Sequence, residues 1–478
     1  MSMNLSQSTL RIFAAKLVNA ALIFLGMTYF ARSLGSAELG VFFLFQLLLE
    51  LLSIPSDMGL QFAVEKRISE GESPSEIFAT AVVAKIGLLV LIICTIFLAA
   101  PWIDSYVGAS VAPLLVIGLL VHEGGRLMLR TLAGELRVGS TAELRFVQVF
   151  IWIGLGSYFI TNNGGARELI YAYLLGWFAV LVLGYHLKST SFGRPSFTRL
   201  HSLFDYSKYS FISYISGYVY NWMDLAIIGF VLTTSAVGQY EMAWRVAMLV
   251  TLFSTSLGEV IFPQISKWSA EEATDRIEDL LPDTLTASFV LVIPGFFGVV
   301  ILSDEILRLL FGDEFAVAWL ALILLFGERI IQAGHTILGR ALLGINKPKL
   351  AARSSVISVI LNLILNILLI PTIGIAGAAI ATLLASTLNA TLHIVYLSRF
   401  LDIRVNRHEL TWILGGSALM FGVVAGVEQL VVIQSIPVLL GVVLLGVVCY
   451  TGVLLTCKSI RLKFSNQTKK IINHTTKL

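Results

Sequence analysis

Fourteen apolar segments follow one another along the chain and limit what it can fold into. A helix that crosses a bilayer needs about 20 mostly apolar residues. The longest connections, near 188–207 and 267–283, are about 20 residues each and too short for a soluble domain. The pattern predicts an all-α polytopic membrane protein. The segments are 12–31, 39–62, 77–100, 111–133, 141–161, 168–187, 208–232, 239–266, 284–303, 315–343, 351–371, 374–397, 410–430 and 436–457.

Composition supports the same fold class. The 478 residues are 57% hydrophobic and 13% charged, whereas soluble domains are about 45–50% apolar and about 25% charged. This excludes a disordered chain, a disulfide scaffold and an ordinary cytosolic enzyme. Cys94, Cys449 and Cys457 lie in apolar segments without metal-ligand spacing. The first segment follows Arg11, contains Lys16 near its start, and indicates an uncleaved first helix.

The basic residues indicate how the chain is oriented. Alternate connections and the two termini carry 27 of the 33 Lys and Arg residues, including Arg126, Arg130 and Arg145 near the fourth connection. The opposite connections hold only three. Because cytoplasmic loops are enriched in Lys and Arg, both termini are predicted to be cytoplasmic. An even number of spans agrees with this.

A short motif recurs after six spans. The segment 36–42 (SAELGVF) begins the second span, and the segment 235–240 (SAVGQY) begins the eighth. Six spans preserve membrane orientation, so the pattern favours a parallel repeat about an axis along the membrane normal, as in two-lobed transporters. The alternative is a coincidence between two glycine-containing turns.

Several motifs in a fixed order carry a family resemblance. They are ARSLGSAELG at 31–40, DLAIIG at 224–229, VGQY at 237–240, AWR at 243–245, GINKP at 344–348, Asn362 with Asn366, and LIPTIGIAGAAIAT at 369–382. With these motifs and fourteen spans, the chain resembles the Wzx-type polysaccharide flippases of the multidrug/oligosaccharidyl-lipid/polysaccharide (MOP) exporter superfamily.

The resemblance implies an architecture and a function. Two six-helix lobes, 1–200 and 201–400, would enclose a central cavity and be related by a pseudo-two-fold axis along the membrane normal. Two additional spans at 401–457 and a basic cytoplasmic tail at 458–478 would follow. The protein would move polyprenyl-diphosphate-linked oligosaccharide from the cytoplasmic to the outer leaflet by alternating access. Its location would be the bacterial plasma (inner) membrane, and its partners membrane lipid and the glycosyltransferases and polymerase of the pathway.

Charged residues inside spans are candidates for the substrate site, because each costs about 2.5–3.5 kcal/mol to insert. Fixed cations would bind an anionic diphosphate. Alternatives remain open: Lys16 could reach the membrane interface, and Arg245 could pair with Glu241. Since adjacent helical residues do not face each other, Arg329 is expected to find a partner other than Glu328. The cationic candidates are Lys16, Lys85, Arg126, Arg245 and Arg329.

Other polar residues complete the candidate site. Tyr218, Asn221 and Trp222 lie deep in the seventh span and suit sugar faces, although an interfacial aromatic belt is the alternative. Asp224 and Glu259 are candidates for ion coupling, with a static salt bridge as the alternative. Asn362 and Asn366 are expected to bond neighbouring helices.

Two other functional classes are weighed against transport of a lipid-linked sugar. An ion-coupled multidrug exporter of the same superfamily is disfavoured by fourteen spans and fixed intramembrane cations. A membrane polymerase or ligase is disfavoured because no large outer loop is visible. The chain shows neither a nucleotide-binding Gly-Lys-Ser/Thr loop nor histidines at metal-ligand spacing. We therefore expect no cofactor, no metal and no nucleic-acid partner.

Overall fold

The computed structural model describes the backbone from Leu5 to Leu462, and side chains from Asn19 onward except at 209, 210 and 212–221. The described chain is helical throughout, with a short 3₁₀ turn at Asp313–Ala318. The α-helices are α1 Leu5–Asp57, α2 Leu60–Ser69, α3 Pro74–Val107, α4 Ala112–Gly134, α5 Val138–Thr161, α6 Ala166–Leu187, α7 Phe197–Val231, α8 Thr234–Leu249, α9 Leu252–Ala270, α10 Thr274–Ser288, α11 Val292–Phe311, α12 Trp319–Gly344, α13 Pro348–Ile373, α14 Ile375–Leu397, α15 Arg407–Leu430 and α16 Ile436–Thr456.

All fourteen apolar segments lie on these helices. The first two share α1, which is interrupted at Gly35 by a left-handed backbone conformation (φ 76°, ψ 176°). Glycine adopts this conformation at little cost because it lacks a Cβ. The eighth segment spans α8 and α9, which meet at a bend of 53°.

Ten helices in the described ranges are long and apolar enough to cross a membrane, or eleven if the bent pair counts as one span. This number is below fourteen for physical reasons. The helix α1 counts once although it holds two apolar segments, and α7 is described only in part. The helix α12 carries Glu328, Arg329 and Arg340 among its apolar residues. The polytopic helical fold expected from the sequence is confirmed.

The chain forms two compact units, Met1–Glu241 and Met242–Leu478. In the first unit, α4 packs on α2 and α6, while α7 packs on α1, α2 and α3. In the second, α12 is central and contacts α9, α11 and α14, while α15 packs on α11 and α16. The boundary by contacts thus lies in α8 instead of at residue 200, because α7 packs on the helices that precede it. The division into six-span lobes remains a proposal.

The two copies of the sequence motif touch each other within the first unit. A Cβ on Gly40 would collide with the carbonyl oxygen of Thr234, and a Cβ on Gly238 would collide with that of Ser36. The contact is reciprocal. Gly40 faces Thr234, four residues before Gly238, and Gly238 faces Ser36, four residues before Gly40. The hydroxyls of Ser36 and Ser235 lie 2.5 Å apart at the same crossing. Both glycines are therefore required by close backbone approach.

Matched turns also occur in the two units. After α4, Arg137 N–H donates to the Leu132 carbonyl at 2.9 Å, and after α12 Lys347 N–H donates to the Leu342 carbonyl at 2.9 Å. Each turn contains a residue with positive φ, Leu136 at 61° and Asn346 at 59°. Two turns with the same bonds support the proposed repeat.

The segments that follow α6 and α14 are attached in the same way. Ser196 N–H donates to Thr80 Oγ1 on α3 at 3.0 Å. Asn406 N–H donates to Thr286 Oγ1 on α10 at 3.2 Å. The starts of α7 and α15 are thereby held against the third and the ninth apolar segments, respectively.

Candidate functional site: a charged network and an arginine-lined cavity

A buried lysine in the first unit is held by two carboxylates from different helices. Lys85 Nζ on α3 lies 2.6 Å from Asp57 Oδ1 on α1 and 2.7 Å from Glu123 Oε2 on α4. The three side chains are at most 4% exposed. A buried charge is tolerated when oppositely charged groups surround it. Lys85 is therefore committed to an internal ion cluster.

A histidine extends this cluster along α4. His122 Nδ1 lies 3.4 Å from Glu123 Oε1, and His122 Nε2 lies 3.5 Å from Glu50 Oε1. The other carboxylate oxygen of Glu50, Oε2, accepts a hydrogen bond from Arg126 Nη1 at 3.3 Å. Three charged helix faces from α1, α3 and α4 thus form one network, which includes the predicted residues Lys85 and Arg126.

The network opens into a cavity of about 150 Å³. Its wall combines three arginines and one histidine with a single carboxylate, so its charge is mainly positive. Trp177 on α6 packs edge-on against His122, with ring centroids 4.4 Å apart. The lining residues are Glu50, Gln61, His122, Arg126, Leu129, Arg130, Arg145 and Trp177.

Sequence reasoning missed Arg130 and Arg145 as site residues, because it assigned them to a cytoplasmic connection. Arg130 pairs with Glu65 Oε2 at 2.6 Å and lies over the Phe62 ring at 4.4 Å. Position 130 is eight residues after His122, about two helical turns along the same face. That periodicity is the signal in the sequence that could have identified Arg130.

The second unit buries its own arginine. Arg329 on α12 is 1% exposed, stacks on the Trp244 ring at 4.1 Å and donates to Gln332 Oε1 at 2.6 Å. Its Nε lies 3.0 Å from Glu328 Oε2. Arg329 therefore has partners other than Glu328, as expected. Its ion pair with Glu328 was not expected from adjacent positions, and it forms because both side chains are long enough to bend towards each other. Glu328 Oε1 also accepts a hydrogen bond from Ser386.

The remaining predicted residues are dispersed. Asp224 is buried and accepts a hydrogen bond from the Tyr240 hydroxyl at 2.7 Å. Glu259 is exposed, whereas Trp222 and Arg245 are half-buried. The side chains of Lys16, Tyr218 and Asn221 lie outside the described residues. The roles assigned to all these residues remain predictions.

The asparagine pair bonds as expected for helix packing. Asn366 Nδ2 donates to Asn362 Oδ1 at 3.1 Å, and Asn362 Nδ2 donates to Thr382 Oγ1 on α14 at 3.3 Å. The pair thus links α13 to α14.

Comparison with known sequences gives the family. Residues 29–320 match the family described as "Polysaccharide biosynthesis protein". The chain is 45% identical over 459 residues to a "Probable low-salt glycan biosynthesis flippase Agl15" of Haloferax volcanii, covering 96% of this chain and 97% of the relative. The chain belongs to the polysaccharide biosynthesis protein family. A second relative from that organism, "Probable flippase AglR", is 32% identical and covers 76% of this chain and 77% of its own length.

Solved structures share the fold of this family member. Lipid II flippase MurJ, in an inward closed conformation, matches with a TM-score of 0.79 at 16% identity, covering 93% of this chain and 98% of that chain. An inward-facing multidrug resistance MATE transporter of the MOP superfamily matches at 0.58 and 17% identity, covering 80% and 93%. The chain therefore has the polytopic helical fold of these transporters. With relatives named as flippases, a transporter is supported over an enzyme.

Proposed function

We propose that the protein is a flippase that moves a polyprenyl-diphosphate-linked oligosaccharide from the cytoplasmic to the outer leaflet by alternating access. One observation carries the proposal: a cavity in the first unit is lined by Arg126, Arg130 and Arg145. A diphosphate loses its hydration when it enters a membrane protein, and guanidinium groups offset that cost through charge-assisted, often bidentate hydrogen bonds. The relatives named as glycan flippases support the same assignment.

The charge of the cavity also argues against export of cationic drugs. Three guanidinium groups stand opposite one carboxylate, Glu50, in the lining. Such a wall repels an organic cation and attracts an anion. An exporter of cationic drugs would need more carboxylates than guanidinium groups in its cavity.

We further propose the location and the partners. The protein would lie in the cytoplasmic membrane with both termini cytoplasmic, as the distribution of Lys and Arg indicates. The two flippase-named relatives come from Haloferax volcanii, so the proposal is a cytoplasmic membrane and is not confined to a bacterial inner membrane. Glycosyltransferases would supply the lipid-linked oligosaccharide, and a polymerase or transferase would consume it. Impermeant thiol labelling of Lys458→Cys, at an exposed position after α16, would test the orientation, since outward labelling contradicts it.

The experiment is a flipping assay in proteoliposomes with a fluorescent polyprenyl-diphosphate-linked oligosaccharide. A membrane-impermeant quencher or glycosidase reports the fraction that has crossed. We expect Arg126→Ala to slow flipping at least tenfold, because one charge-assisted contact with the diphosphate is lost. Arg308→Ala is the matched control, since Arg308 is an exposed arginine paired with Asp304. Normal flipping by a variant with Arg126, Arg130 and Arg145 all neutralised would overturn the proposal.

A further inference from the structure

His122 is placed between two carboxylates, one on each side of its ring. It is 1% exposed, with Nε2 towards Glu50 and Nδ1 towards Glu123 at 3.5 and 3.4 Å. Glu123 Oε1 is buried and receives no hydrogen bond from any described atom. A carboxylate oxygen in this position requires a proton donor nearby.

The ring chemistry allows two arrangements. A neutral imidazole carries one N–H, so it can donate to only one of the two carboxylates. Its other nitrogen must then accept a hydrogen bond, and the Ser53 hydroxyl stands 3.1 Å from Nδ1 to provide one. A protonated ring carries two N–H groups and can donate to Glu50 and Glu123 together. The same three neighbours therefore suit both protonation states.

The carboxylates on either side of His122 favour binding of one proton by its ring. The carboxylates of Glu50, Asp57 and Glu123 lie beside the cations Lys85 and Arg126, and Glu50 and Glu123 also face the His122 ring. A charged ring that faces two carboxylates is stabilised by both of them. The ring itself faces Glu50 and Ser53 from α1, Glu123 from α4 and Trp177 from α6. The charged or titratable groups next in the network and cavity are Asp57 from α1, Lys85 from α3, Arg126 and Arg130 from α4, Arg145 from α5 and Tyr173 from α6.

We propose that His122 is a proton-binding site whose occupancy controls whether Arg126 is held by Glu50 or is available to an anion in the cavity. This inference rests on the proposed function for the identity of that anion, a diphosphate. Glu50 accepts from Arg126 through Oε2 and faces His122 through Oε1. A protonated His122 can by itself balance the negative charge of Glu50. Arg126 can then turn to a diphosphate.

The two binding events are therefore coupled in both directions. A bound anion draws Arg126 away from Glu50 and raises the proton affinity of His122. Equally, a bound proton raises the affinity for the anion by the same factor, as linkage requires. One proton enters the network with each head group and offsets one of its negative charges.

Solid-state ¹⁵N NMR of the full-length protein in lipid, labelled in its histidine rings, tests the proton site directly. We expect one imidazolium signal at pH 7 that disappears in His122→Gln, and whose titration moves to lower pH in Glu50→Gln. His201→Gln is the control, because His201 is 83% exposed in its side chain beside Asp205. A His122 ring that stays neutral from pH 8 to pH 5 would overturn the proposal.

Binding of farnesyl diphosphate to the same preparation tests the coupling. Above the pKa of His122, wild-type affinity should fall by up to about tenfold per pH unit relative to His122→Gln. Titration of the probe itself is common to both proteins and cancels in this comparison. Equal pH dependence in the two proteins would overturn the coupling. Failure of the probe to bind wild-type protein, beside a normal NMR titration, would instead contradict the proposed function and leave the proton site standing.

Discussion

Gly40 and Gly238 each face the backbone that precedes the other, so the two copies of one sequence motif form a reciprocal contact. Neither position has room for a Cβ, because the obstructing atoms are the carbonyl oxygens of Thr234 and Ser36. A backbone obstruction cannot be relieved by a change of rotamer. Close packing of small residues is a usual way for membrane helices to associate.

Gly40→Ala and Gly238→Ala should each destabilise the protein by about 1–3 kcal/mol, since they force the helices apart. Gly87→Ala on α3 is the matched control, because nothing lies within 4 Å of a Cβ there. That control should be neutral or stabilising by up to about 1 kcal/mol. Thermal unfolding midpoints in detergent measure the difference, and equal midpoints for all three variants would contradict the close contact.

Lys85→Met should destabilise the protein by about 3–5 kcal/mol, because it leaves Asp57 and Glu123 buried without their cation. A triple variant with Lys85→Met, Asp57→Asn and Glu123→Gln should recover much of this loss. Unfolding midpoints report both effects. A triple variant less stable than Lys85→Met alone would show that the cluster is not stabilised mainly by charge pairing.

Trp244→Leu should destabilise the second unit by about 1–2 kcal/mol through loss of the indole face that covers Arg329. Trp319→Leu is a suitable control, since Trp319 is 46% exposed. Arg329→Ala should cost more, because it removes the guanidinium paired with buried Glu328. The flipping rate of folded Arg329→Ala protein distinguishes the two roles of Arg329. Slow flipping indicates a role in transport, and normal flipping indicates a purely structural role.

Glu135, just beyond α4, should make stability depend on acid pH. Although partial burial acts to raise its pKa, hydrogen bonds from the Thr190 hydroxyl and the N–H groups of Ser189 and Thr190 hold that pKa below its usual value. The stabilisation is therefore complete above the ordinary glutamate pKa and is lost as the pH falls through the folded-state value.

Glu135→Gln should remove this stabilisation at neutral pH. The free energy of unfolding should fall by less than about 1 kcal/mol, because the site is partly exposed. The measurement is the difference between wild-type and variant unfolding midpoints from pH 7 to pH 3. That difference should shrink towards acid pH. A difference that grows on acidification would show that the pKa of Glu135 is raised instead.

The helices were predictable because their signal is local. Apolar segments and glycine-containing turns encode α3 or α16 without reference to any other part of the chain. The partners of Lys85 were not predictable, since Asp57 lies 28 residues away on another helix and only the packing of α1 against α3 brings them together. Arg145 was assigned to a loop for a related reason: only the cavity formed with α4 and α6 shows where its side chain lies.

The edge contact between Trp177 and His122 has an optical consequence. An imidazolium quenches a neighbouring indole more strongly than a neutral imidazole does, and the two rings are 4.4 Å apart. The emission of Trp177 therefore depends on the charge of His122. In a variant that keeps Trp177 as its single tryptophan, fluorescence would follow protonation in real time while the transporter works in a lipid vesicle.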